Sequence, residues 1–172
     1  MLEKYRLAKI KEYEMLQTQE LITNDFIRSP NVIIITASMD KQSYGTVTGI
    51  TENVRDTLGW GSSEIVGKYI HDLIMPGGFK RLHPGIVEAH LKSKSSSMLN
   101  KNIKVYAKSK MGEIYQAHIY LAIYPRIKNG IEYMCFLKVD TKSMNPRIIV
   151  NKDGYIEDFS ASLGLKELAS NV

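Results

Sequence analysis

Cysteine is nearly absent: Cys135 is the only one in 172 residues. A single thiol excludes an internal disulfide framework and a cysteine-built zinc site, and it fits a reducing compartment such as the cytosol. Long apolar runs are missing as well. Stretches such as Val32-Ile33-Ile34-Ile35 fall far short of the roughly 20 residues that a membrane-spanning helix needs, and the start of the chain does not read as a signal peptide. The expectation is a cytoplasmic chain, or the cytosolic region of a membrane-associated protein that meets the bilayer only through parts outside this sequence. No glycine-rich phosphate loop leads into a lysine, no Gly-x-Ser-x-Gly elbow occurs, and kinase and cyclase signatures are lacking, so the chain is not read as an enzyme.

What is present describes an ordinary folded domain. Apolar residues at 44% against 24% charged lie well away from the composition of a disordered chain, and the length allows one core plus an arm or a partial second unit. The net charge of +5 is spread out, with its densest clusters at Lys4 to Lys11 and Lys101 to Lys110, each interrupted by apolar or polar residues. Such clusters read as solvated faces, and nucleic acid is not expected as a partner.

Residues 1 to 28 hold no Gly or Pro and are rich in strong helix formers, ending at Ser29-Pro30. They read as one long helix, a linker or dimerisation arm. Met1, Ala8, Met15 and Ile22 recur every seven residues with Tyr5 and Phe26 on the other seam, but Glu12 and Gln19 interrupt that second seam. From residue 31 the pattern changes. Val32 to Ile35 with Thr36, then Thr46 to Ile50, suit a pair of strands, and the glycines and serines of 51 to 73 allow only short helices broken by turns. Leu82, Ile86, Val87, His90 and Leu91 form a stripe at helical spacing over 79 to 93. Ile103 to Ala107, Ala117 to Ile123 and Ile131 to Val139 alternate as strands, with turns at Lys110-Met111-Gly112 and Lys128-Asn129-Gly130. The order predicts an α+β domain that buries one face of a five-stranded antiparallel sheet under its helices.

Over residues 31 to 142 this order, with its local motifs, resembles a PAS domain. The motifs are Gly49-Ile50-Thr51-Glu52-Asn53, Leu58-Gly59-Trp60, Glu64-Ile65-Val66-Gly67, Leu73-Ile74-Met75-Pro76, Lys110-Met111-Gly112-Glu113 and Val139-Asp140-Thr141. The resemblance implies a PAS fold preceded by the long N-terminal helix. Residues 145 to 172 repeat the same grammar, with strand Ile148 to Val150, an Asn-Lys-Asp-Gly turn, strand Tyr155-Ile156 and a helix-like stretch from Ser160. They resemble the start of a second PAS-like unit, the alternative being a terminal hairpin docked on the first. The Met-Pro pair, the following His and the Ile-Ile-Val-Asn-x-x-Gly start are similar to PAS units of large multipass ciliate proteins.

The resemblance also frames the sites. In the blue-light flavin branch a Cys is needed where Ile70 stands, so Cys135 reads as a small core residue. Met75-Pro76 followed by His83 resembles the spacing of haem-binding PAS domains, in which such a His is the axial ligand. The arginine that those domains carry on the next strand aligns near Ile103, and Pro84 biases His83 toward the start of a helix. Two readings of His83 stay open: haem ligand or helix residue. The cofactor is therefore unknown, with haem as the alternative to none. His90 lies about 10.5 Å along a helix from His83, too far to share a metal, and no metal site is expected. Partner contacts, with another protein or a second copy, are expected at Tyr106, Tyr120 and Tyr124 on the outer sheet face and at Met15, Ile22 and Phe26 on the N-terminal helix. The resulting reading is a PAS sensory and interaction module of a signalling or scaffold protein, with a haem or small-ligand sensor and a structural component of a large assembly as alternatives.

Overall fold

A computed structural model describes residues 26, 29, 31–40, 42–93, 98–126, 130–142 and 145–160. Five strands form one sheet: β1 (Val32–Ser38), β2 (Val47–Ile50), β3 (Asn102–Lys108), β4 (Ile114–Arg126) and β5 (Gly130–Asp140), in the order β2-β1-β5-β4-β3. Every neighbouring pair is antiparallel. Between β2 and β3 run α1 (Val54–Leu58), α2 (Ser62–Ile65), α3 (Ile70–Leu73) and α4 (Gly77–Ser93). A separate hairpin comes next, β6 (Ile148–Val150) with β7 (Ile156–Phe159). The expected 1–28 helix lies outside the described residues except for Phe26, as do residues 127 to 129 of the expected turn and the stretch from 161 onward.

The alternation read from the sequence sets the faces. Ladder partners Ile33 and Leu137, Ile35 and Cys135, Ala117 and Val139 place odd-numbered side chains on one side. That side forms the core, where Ile33, Ile35, Ala107, Ala117, Leu137 and Val139 meet Val54, Leu58, Ile65 and Ile74 from the helical segment. Gly59 ends α1 in the left-handed region at φ 77° while its N–H donates to the Arg55 carbonyl at 2.9 Å, a conformation that glycine enters without a Cβ penalty. Gly67, at φ 83°, donates to the Val47 carbonyl at 2.8 Å and so ties the segment after α2 to β2.

One helix begins earlier than the sequence indicates. Gly77-Gly78 reads as a turn, yet these residues open α4, and Pro84 lies inside that helix rather than setting its start. His83 is therefore its seventh residue. Proline has no N–H to offer the carbonyl four residues back, so α4 passes this point with one bond fewer.

Candidate functional site

The motif residues between α1 and β4 converge on a structural cluster. Lys110 donates from Nζ to Glu64 Oε1 at 2.7 Å and Oε2 at 2.9 Å, and its ammonium stands 5.5 Å from the Trp60 ring centroid. Glu64 Oε2 also accepts from the Gly61 N–H at 2.9 Å. The Lys110 hydrogen bond, and after it that of Gly61, holds the Glu64 carboxyl below its ordinary range. Leu58-Gly59-Trp60, Glu64 and Lys110 thus meet as one brace between the helices and the β3–β4 turn. Cys135 lies against the core, and burial pushes its thiol up to about 12, which keeps it protonated near pH 7.

His83 lies elsewhere, at the junction of α3 and α4. It is half-buried, its ring centroid is 5.8 Å from that of His71, and the His71 ring stacks on Tyr69 at 5.4 Å. His71 Nε2 stands 3.9 Å from Asp72 Oδ2, and Asp72 pairs with Lys80 of α4 at 2.9 Å. The His71 neighbour was missed by sequence reasoning, because the intervening residues carry no periodicity that would bring the two imidazoles together. Burial, and then the charge of His71, lower the His83 pKa below its ordinary 6.5. Among the described residues no group of three or more His, Cys, Asp or Glu is placed to hold a metal ion.

That depressed pKa gives a pH dependence of definite sign. As pH falls through about 6.5 the unfolded chain takes up this proton before the folded one does. The His83 contribution to stability is therefore fully present above that pH and drains away below it. Urea unfolding at about pH 7.5 and about pH 5.5 should show a smaller loss in His83→Gln than in the parent chain; an equal loss would remove His83 as the source.

The proposed contact residues are distributed unevenly. Tyr106, Tyr120 and Tyr124 do share the even-numbered face, but Tyr120 is only 3% exposed, its hydroxyl donating to Asn100 Oδ1 at 3.2 Å and its ring 6.1 Å from Phe136. It is a packing residue, a correction to its expected place on an open face. The alternation identified its side of the sheet correctly, while the return of residues 98 to 101 against β4 encloses it: Asn100 donates its N–H to the Leu121 carbonyl at 2.8 Å. Tyr124 is 45% exposed, and Tyr106 is half-buried with its ring 6.1 Å from that of Phe79 on α4. Phe26 lies under the Lys138 ammonium at 5.7 Å, on that same even-numbered face. Met15 and Ile22 lie outside the described residues.

The arrangement has a sheet whose first and last strands adjoin at its middle and whose second and third strands, joined through four helices, form its two edges. The fold is PAS-like. No family model matches the chain, and no curated protein matches its sequence. Among solved structures the PAS-like chain is similar to the PAS domain of an HTR-like protein from Haloarcula marismortui, at 16% identity and a TM-score of 0.49 over 77% of this chain and 99% of that one. It is also similar to the PAS domain of the Cronobacter turicensis RpfR quorum-sensing receptor in complex with C12:0, at 14% identity and a TM-score of 0.47 over 64% and 95%. A third is the PAS domain of a Colwellia psychrerythraea protein, at 14% identity and a TM-score of 0.47 over 74% and 99%. Among the described residues of the PAS-like chain, no helix is long and apolar enough to cross a membrane.

Proposed function

We propose that this chain is a PAS-type sensory and interaction module, without catalytic activity, that works inside a larger signalling or scaffold protein and passes on binding or partner state through protein contacts. The observation that carries this reading is the two-sided character of α4. Phe79, Leu82 and Ile86, at i, i+3 and i+7, form one helical stripe and are 43%, 61% and 46% exposed. Tyr106 extends that apolar surface onto the sheet edge through its ring contact with Phe79. Contiguous exposed apolar surface of this kind is what a protein partner covers, and the partner we name is a second copy of the chain. The same helix carries His83 at the junction with α3, so a change at the half-buried imidazole and a change at the outer stripe act on one helix.

Residues 145 to 172 are read as the start of a second PAS-like unit, with a terminal hairpin docked on the first as the alternative. Ile148, Val150, Tyr155 and Ile156 are all exposed on a hairpin of two short strands, which alone cannot seal a core. Such a hairpin suits a unit whose later elements cover these apolar side chains.

A second reading, a haem sensor with His83 as axial ligand, is favoured by one observation. Its imidazole is half-buried at the junction of α3 and α4, on the long helix that the resemblance to haem-binding PAS domains singles out. One experiment separates the readings: purified chain monitored by absorption and light scattering as hemin is added. On the first reading no Soret band saturates, and the mass exceeds that of one chain but falls to it in Leu82→Glu. On the second, a band saturates at one haem per chain and is lost in His83→Ala. A featureless spectrum from a monomer turns down both.

A further inference from the structure

The hairpin does not hang free of the sheet. The Asp158 side chain on β7 is 5% exposed, and it reaches two elements of the first unit at once. Its Oδ2 accepts from the Gly77 N–H, at the first residue of α4, at 2.6 Å. Its Oδ1 pairs with the ammonium of Lys108 at the end of β3. Beside it, Glu157 pairs with Arg81, one turn into α4. Gly78, the second residue of the helix, leaves room for the Glu157 side of this approach. A Cβ on Gly78 would stand 2.7 Å from Glu157 Oε2, and one on Gly77 would stand 3.4 Å from Asp158 Oδ2. Carboxylates suit this place because the first N–H groups of a helix lack partners within it and carry the positive end of its dipole. Hydrogen bonds and ion pairs to charged groups are also among the stronger polar contacts.

The geometry points to a clamp: Glu157 and Asp158 of β7 grip the N-terminal turn of α4 through Arg81, Gly77 and Lys108, so that the position of the hairpin is coupled to the helix that carries His83. The direction of signalling rests on the proposed sensory function, but the clamp does not, because it needs neither haem nor partner. The polar contacts all come from β7. They join residues 50 to 81 positions apart in sequence, they fix the end of a helix whose other main contact is with α3, and they bury one member of the acidic pair almost completely. Motion of the hairpin is therefore transmitted to α4 through paired charges as well as through any route across the sheet.

Amide hydrogen exchange on the full chain tests it. In Asp158→Asn with Glu157→Gln, residues 77 to 82 should exchange at least about tenfold faster, while residues 114 to 126 and 130 to 140 keep their protection. Arg81→Glu is a second variant that spares the core, since Arg81 is 64% exposed. It should also speed exchange at the start of α4, and adding Glu157→Arg should slow it again by restoring a pair of opposite charges. No acceleration in either variant overturns the clamp, and so does an acceleration that the charge swap leaves in place. Neither result bears on whether haem binds or the chain self-associates.

Discussion

Replacing Ile33 by alanine should lower the unfolding free energy by about 2–5 kcal/mol, the range for removing a large aliphatic side chain from a packed core. Ile33 is fully buried on β1, its ladder partner Leu137 is 4% exposed, and α1 contributes the equally buried Val54 and Leu58 to the same cluster. The site has little freedom to collapse. β1 is held on both sides, by β2 and by β5, so its backbone cannot shift toward the helices without breaking a ladder. Urea unfolding of parent and variant measures the difference, and a loss below about 1 kcal/mol would show that the cavity closes and that the core is more plastic than its burial indicates.

A second large effect is expected at Asn53→Ala, of about 1–3 kcal/mol, through polar rather than apolar groups. Asn53 Nδ2 donates to the Val32 carbonyl at 2.6 Å, and its Oδ1 accepts from the Thr51 hydroxyl at 2.7 Å. The Thr51 hydroxyl in turn accepts from the Ile34 N–H at 3.0 Å. Thr51 and Asn53 together therefore stitch the start of α1 to β1, and alanine at 53 breaks two links of a chain of three. Thr51→Val removes the middle of the same chain, so the two substitutions combined should cost less than the sum of their separate effects, with a coupling of about 0.5–3 kcal/mol. Strict additivity in the double-mutant cycle would mean that the two side chains act independently, contrary to the geometry.

The strands were legible because their signals are local. Val32 to Ile35 with Thr36 is β-branched throughout, and Ile103 to Ala107, Ala117 to Leu121 and Leu137 to Val139 carry an apolar side chain at every second position, so the sequence alone marks the elements and the side of the sheet on which the main core lies. The motif residues Gly59, Glu64 and Lys110 were likewise visible, though only the fold shows that they form one brace. The features that escaped depend on distant parts of the chain. Gly77-Gly78 looks like a turn because glycine weakens a helix by roughly 0.5–1 kcal/mol relative to alanine, and the acidic residues that hold this helix start lie far downstream, on β7. His83 looked like a helix-start residue because Pro84 is next in the chain, whereas α4 continues through that proline. Tyr120 was placed on the correct face but not at the correct depth, since its cover comes from residues 98 to 101, which carry no pattern of their own.

The adjacency of β1 and β5 has a mechanical consequence. Val32 pairs with Lys138 and Ser38 with Glu132, so the chain enters the sheet beside the point at which it leaves. Tension applied between the segments before residue 32 and after residue 140 would load the end of the β1–β5 ladder first and open its rungs one after another, as a zipper opens, instead of shearing them together. A ladder loaded in this way opens at a lower force than one whose terminal strands must shear past each other along their whole length.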